Sequence, residues 1–144
     1  SQAALSVSYL WFTFRTRTVS SAADDVADFF DEREIEFIRS PRVFGVSGRE
    51  HRVDFSAVTS GSEKLLCLLS TGSRASVKGL VEHVVATFYD LREWPLAREG
   101  RGLISLFDDT LDIWSPEDFK QVEGLSMVAR WSQQDAFEDL VRVA

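Results

Sequence analysis

Four arginines, Arg39, Arg42, Arg49 and Arg52, gather around one polar turn, Ser47-Gly48-Arg49-Glu50. Guanidinium groups so grouped could contact a phosphate or an acidic partner, since they present planar donor forks to anions; the alternative is dispersed surface charge. Asp54 follows within an alternating apolar stretch, where aspartate is disfavoured and needs compensation. Its bland reading is a solvent-facing residue or the acceptor of a turn hydrogen bond from Ser47–Gly48. His51, at the foot of the hairpin, reads as a structural hydrogen-bond partner ahead of a general base, although imidazole titrates in a range that permits either. His83 beside Glu82 reads as solvated. Cys67, inside Leu65-Leu66-Cys67-Leu68-Leu69, reads as a small core residue. Two distant histidines and one cysteine give no zinc-ligand spacing. The Ser70-Thr71-Gly72-Ser73 turn could offer amides to an anion, but a plain loop before a helix is the preferred explanation.

The elements that must position these residues follow from periodicity. Ser21, with Asp24 three residues on, predicts a capped helix whose Val26, Phe29 and Phe30 form an inward stripe. Ile35 and Phe37 form a short extended piece. Arg42–Val46, His51–Val58 and Glu63–Leu69 read as three antiparallel strands joined by short turns, with Val53, Phe55 and Ala57 on one face of the second. Val77, Leu80, Val81, Val84, Val85, Phe88 and Leu91 share one face only on a helix, placed over Ser73–Arg92. Leu103–Phe107 is a fourth strand. A helix opens at Ser115-Pro116 and stops at Gly124; Met127–Trp131 is a fifth strand; Ser132 with Asp135 caps a last helix. Hairpins followed by helical crossovers predict an α/β (α+β) fold, a mixed sheet with helices on both faces, in core order αβββαβ followed by αβα.

The chain has 144 residues, which suits one domain, placed over 21–144. Its apolar runs are too short to span a bilayer, which takes about 20 residues. A single cysteine excludes an internal disulfide, and a cytoplasmic setting is expected. With 23 acidic against 16 basic residues, a net charge of −7 argues against nonspecific attraction to nucleic acid or membrane. Leu5–Phe14 is ambiguous: Val7, Tyr9 and Trp11 alternate like a strand, while Leu10 to Phe14 could end a helix. Residues 1–20 are therefore read as the end of a linker helix or strand from an upstream domain.

The segments Asp25–Glu32, Ile35-Glu36-Phe37, Gly45-Val46-Ser47-Gly48 and His51-Arg52-Val53-Asp54-Phe55 resemble the C-terminal domain of an uncharacterised family in bacteria, phages and mobile elements, domain of unknown function eighteen twenty-nine. The element order resembles the PD-(D/E)XK core, the restriction-endonuclease-like superfamily. That resemblance implies a Mg²⁺-dependent nuclease wherever an Asp, an acid-x-Lys and often a first-helix Glu are intact, because paired carboxylates hold the cation and a lysine steadies developing charge. Asp54 matches the Asp. The acid-x-Lys position holds Leu66-Cys67-Leu68, and Glu63 and Lys64 are adjacent, so they address opposite faces of a strand. Lys78 would be a displaced lysine, with Glu32 or Glu36 as the helix acid.

Three readings result. The first is a noncatalytic, degenerate nuclease-like domain of a phage or mobile-element protein, binding a protein partner or its own upstream domain, with nucleic acid an option through the arginine hairpin and no cofactor expected. The second is a Mg²⁺-dependent nuclease using Asp54, Glu63 and Lys78. The third is an acidic counter-defence or regulatory protein imitating nucleic acid through one face built from Asp108, Asp109, Asp112, Glu117 and Asp118.

Overall fold

The computed structural model of the chain describes residues 19–143, so Leu5–Phe14 and the expected upstream linker lie outside the described residues. Helix α1 (Val19–Glu32) leads into β1 (Glu36–Arg39), and Ala22, Ala23, Val26, Phe29 and Phe30 are buried along one face. The helix already runs through Ser21, which is therefore not its cap; Asp24 instead accepts a hydrogen bond from Arg39 at 2.7 Å. Glu34 takes a positive φ of 56° and the Ile35 amide returns to the Phe30 carbonyl, ending the helix with left-handed backbone.

Seven strands follow in two sheets. The main sheet has the order β1-β4-β5-β6-β7, with β4 (Phe55–Thr59), β5 (Ser62–Leu69), β6 (Leu103–Phe107) and β7 (Met127–Arg130). β1, β4 and β5 form an antiparallel meander, and β5, β6 and β7 run parallel. Parallel neighbours need crossovers. These are α2 (Val77–Asp90), entered through a 3₁₀ turn at Arg74–Ser76, and α3 (Pro116–Glu123). A final helix, α4 (Gln134–Arg142), follows β7. Residues of α1 and α4 pack with Phe55, Leu66, Leu68, Ile104 and Leu106 on one face. Residues of α2 and α3 pack with Leu65, Cys67, Leu69, Leu103 and Phe107 on the other. The mixed sheet with helices on both faces is thus present.

The strand expected over His51–Val58 is two strands. β2 (Arg42–Phe44) and β3 (Glu50–Arg52) form a separate two-stranded ribbon, and the strand beside β4 on the side away from β5 is β1. The break at Val53–Asp54 reverses the facing of the chain: Val53 packs on the α2 side while Phe55 packs on the α1 side. Uninterrupted alternation would have put both on one face. The caps at the two later helices also differ in outcome. Ser115 and Asp118 form the capping box of α3, with Pro116 at its first position. Ser132 does not cap α4; its amide and Oγ donate to Asp109 at 2.8 and 2.5 Å, and Asp135 pairs with Arg33.

Candidate functional site

Asp54 stands where the ribbon leaves the main sheet. The β4–β5 ladder ends at the Phe55–Leu66 pair, with the Asp54 amide still donating to the Leu66 carbonyl at 3.0 Å. The next outward amide on β5 is that of Leu68, whose strand partner has departed. Asp54 Oδ2 accepts it at 2.7 Å. Asp54 therefore substitutes for a missing backbone acceptor, and the partner of its Oδ2 is the Leu68 amide, not the Ser47–Gly48 turn. Burial pushes its carboxyl above the usual range, opposed by the Leu68 amide and by the charges of His83 and Arg39. Cys67, buried behind it, has a thiol pushed far upward by burial and then by the Asp54 charge, so it stays protonated and is a poor nucleophile.

The other carboxylate and the lysines do not join Asp54. Glu63 lies opposite Val58, whereas Asp54 continues the register opposite Cys67. Paired residues share a face, but four residues of strand separate these two by about 13 Å. Ser56 Oγ donates to Glu63 Oε1 at 2.5 Å. Lys64 points to the opposite face, where it is fully buried and donates to the Val143 carbonyl; desolvation holds its pKa below the usual value. Lys78 is exposed on the first turn of α2, and the α2 side chain whose charge acts on Asp54 is His83. Glu36 sits at the far end of β1 from Asp54, opposite Val58. Glu32 lines an acidic hollow with Asp25 and Asp28 beside Trp131. Among the described residues no three His, Cys, Asp or Glu side chains are grouped to hold a metal. The groups that act on Asp54 are the Leu68 amide, the charges of His83 and Arg39, and the protonated Cys67 thiol beside it; they do not supply the several oxygen donors that Mg²⁺ requires.

The Gly45-Val46-Ser47-Gly48 and His51 motif grips the C-terminal end of α2. Ser47 donates from its amide to Asp90 Oδ1 at 3.0 Å and from Oγ to Oδ2 at 2.7 Å. His51 Nε2 lies 2.5 Å from the same Oδ2, and the Val46 amide reaches the Asp90 carbonyl at 2.9 Å. Gly45 is required because a Cβ there would meet Asp90 Oδ2 at 2.1 Å. His51, then Ser47, hold the Asp90 carboxyl down at about 2. Serine, histidine and aspartate are all present, but the hydroxyl donates to the carboxylate and the imidazole does not bridge them. The serine is thus not activated as a nucleophile. His51 has the structural role expected of it. Asp90 was not singled out from the sequence, yet a signal existed: an acid at a helix C-terminus opposes the helix dipole and calls for a compensating partner.

The ribbon presents the arginines. Arg42 lies directly across from Arg52, and Phe44 across from Glu50. Hydrogen bonds link the neighbouring pairs, Gly45 to Arg49 and Val53 to Pro41, so Arg42–Arg52 is a non-hydrogen-bonded pair, in which side chains approach more closely. Like charges set opposite one another are destabilising. Glu50 lies 3.4 Å from Arg42, whereas Arg49 and Arg52 have no ion-pair partner among the described residues. Phe44 is 69% exposed on the same face. Arg39 belongs to β1 and is tied to Asp24.

The proposed acidic face is divided. Asp108 is buried, accepting from Ser70 Oγ at 2.7 Å and from the Thr110 amide at 3.2 Å. Asp109 holds Ser132 and Asp118 caps α3, so these three carboxylates serve loops of the fold.

No protein-family model and no curated protein matches the chain. A solved structure of a protein of unknown function, AF1548, superposes on 77% of this chain with a TM-score of 0.53 and 18% sequence identity. The chain spans 57% of the length of that protein, and the likeness is one of fold. No helix among the described residues is long and apolar enough to cross a membrane.

Proposed function

We propose that this chain is a noncatalytic, nuclease-like domain that acts as a binding module, consistent with a place in a phage or mobile-element protein. One observation carries the reading: the strand position that would hold acid-x-Lys is Leu66-Cys67-Leu68, buried in the core, and Asp54 beside it is engaged by the Leu68 amide. Catalysis on a phosphodiester would need a second oxygen donor and a cation there. The surface left to do work is the ribbon, held by Asp90 and bearing Arg49 and Arg52, which have no ion-pair partner among the described residues, beside Arg42, which is near Glu50. Protein is the favoured partner, and a cytoplasmic setting suits a chain whose one cysteine is a buried free thiol.

The test is incubation of single- and double-stranded nucleic acid with Mg²⁺ or Mn²⁺, comparing the wild type with Asp54→Ala. The expected result is no metal-dependent cleavage by either protein. Cleavage by the wild type that Asp54→Ala abolishes would overturn the proposal.

A further inference from the structure

The outer edge of β2 combines three features. The first is unpaired main chain. Because Val43 and Gly45 direct their amides and carbonyls toward β3, Arg42 and Phe44 direct theirs away from it, and no hydrogen bond within the described residues takes them up. Such an edge is a template for one more strand. The second is a mainly apolar cleft of about 250 Å³ bordering that edge, lined by Phe44, Val46, Leu91, Trp94 and Pro95, with Asp90 and Glu93 also in its wall. Phe44 and Val46 are 69% and 48% exposed there. The third is charge. Arg42 and Arg52 stand side by side, and Arg49 and Arg52 lack carboxylate partners among the described residues.

We propose that the β2 edge captures an extended segment of a partner protein, in which an aliphatic or aromatic side chain enters the cleft and flanking carboxylates meet Arg42 and Arg52. This rests on the binding-module reading and names its partner. A peptide matches all three features at once: alternate main-chain groups pair with Arg42 and Phe44, and side chains of period two supply the anchor and the acids. Nucleic acid matches only the arginines. It has no use for an in-register row of amides and carbonyls, and the net charge of −7 repels a polyanion at range while leaving a short acidic segment free to be recognised locally. The Asp90 grip on Ser47 and His51 fixes the distance between the edge and the Leu91–Pro95 loop, so it positions the cleft, of whose wall Asp90 is itself a part.

The experiment pans a phage-displayed library of random linear peptides against the whole chain. The most enriched sequence is then made as a labelled peptide for anisotropy and amide-shift measurements. The expected enrichment is an apolar residue flanked by Asp or Glu. Binding should weaken about tenfold or more in Arg52→Glu and in Phe44→Ser, the size expected for losing a charged hydrogen bond or an anchor contact. N-methylation of alternate peptide amides should abolish it, and the Arg42 and Phe44 amides should shift. Circular dichroism of both exposed-site variants should match the wild type. Failure of any acidic-apolar sequence to enrich, binding unchanged in Arg52→Glu and Phe44→Ser, or indifference to N-methylation would overturn the proposal. Binding of labelled oligothymidylate lost in Arg52→Glu would overturn it in favour of nucleic acid. Failure here leaves the noncatalytic reading intact, whereas metal-dependent cleavage would remove that reading and leave peptide capture standing.

Discussion

Gly45 and Asp90 are in contact so close that no side chain fits between them: a Cβ on residue 45 would lie 2.1 Å from Asp90 Oδ2 and 2.7 Å from the Asp90 carbonyl oxygen. The contact closes a ring in which Ser47 and His51 hold the same carboxylate from the ribbon side.

Gly45→Ala is expected to displace the ribbon and lower stability by about 1–3 kcal/mol, the usual cost of overpacking. Asp90→Ala removes the obstacle, so Gly45→Ala should cost much less in that background. Urea denaturation of the four proteins gives the coupling, and strict additivity would show that the two residues do not constrain each other.

The pH dependence of the grip has a definite sign. The Asp90 carboxyl is lowered from 3.8 to about 2, chiefly by His51 and then by Ser47. A folded-state value below the unfolded one adds stability that is complete above 3.8 and is lost as pH falls from there toward 2. Denaturation curves between these limits should show a slope that Asp90→Asn flattens. An unchanged slope in that variant would place the acid sensitivity elsewhere.

Asp54 behaves oppositely. Its carboxyl is raised, so the folded state retains the proton longer and stability declines as pH rises through the unfolded and then the folded value. Asp54→Asn keeps an oxygen for the Leu68 amide without a charge to desolvate, and should be neutral or stabilising near neutral pH. Asp54→Ala leaves that amide without its acceptor and should cost about 1–3 kcal/mol. Equal effects of the two substitutions in thermal melts would refute the backbone-acceptor role.

Lys64 is a buried cation facing one carbonyl. Its lowered pKa means that stability rises as pH climbs through the folded value toward 10.5. Lys64→Met fills similar volume without a charge and should match or exceed the wild-type melting temperature at neutral pH while losing the alkaline gain. A clear drop in melting temperature would mean that the ammonium group stabilises the fold.

Much of this architecture was legible in the sequence. The seven-residue stripe from Val77 to Leu91 marked α2, Ser115-Pro116 marked the start of α3, and the apolar run around Cys67 marked a strand covered on both faces. The departure at Val53–Asp54 was not legible, because Val53, Phe55 and Ala57 alternate without a flaw. The break is a tertiary event, in which a side chain replaces a backbone acceptor across fourteen residues of chain. Ser132 and Asp135 have the spacing of a cap, but Asp109 claims Ser132 from a distant loop, a competition that local sequence does not reveal. Of the candidate site residues, Asp54 stood out by type and His51 by position, while Asp90 escaped notice because its partners lie about forty residues away.

The attachment of the end of α4 to the β4–β5 hairpin sets a schedule for synthesis. Thr59 Oγ1 donates to the Val141 carbonyl and Lys64 Nζ to the Val143 carbonyl, across 82 and 79 residues. At bacterial-to-eukaryotic elongation rates of about 5–20 residues per second, the hairpin leaves the ribosome roughly 4–16 s before its cover exists. During that interval Lys64 remains hydrated and the sheet face around it stays open. The domain therefore completes its fold only when α4 and Val143 emerge, and a ribosome stalled within α4 would hold out an uncovered sheet to chaperones and proteases.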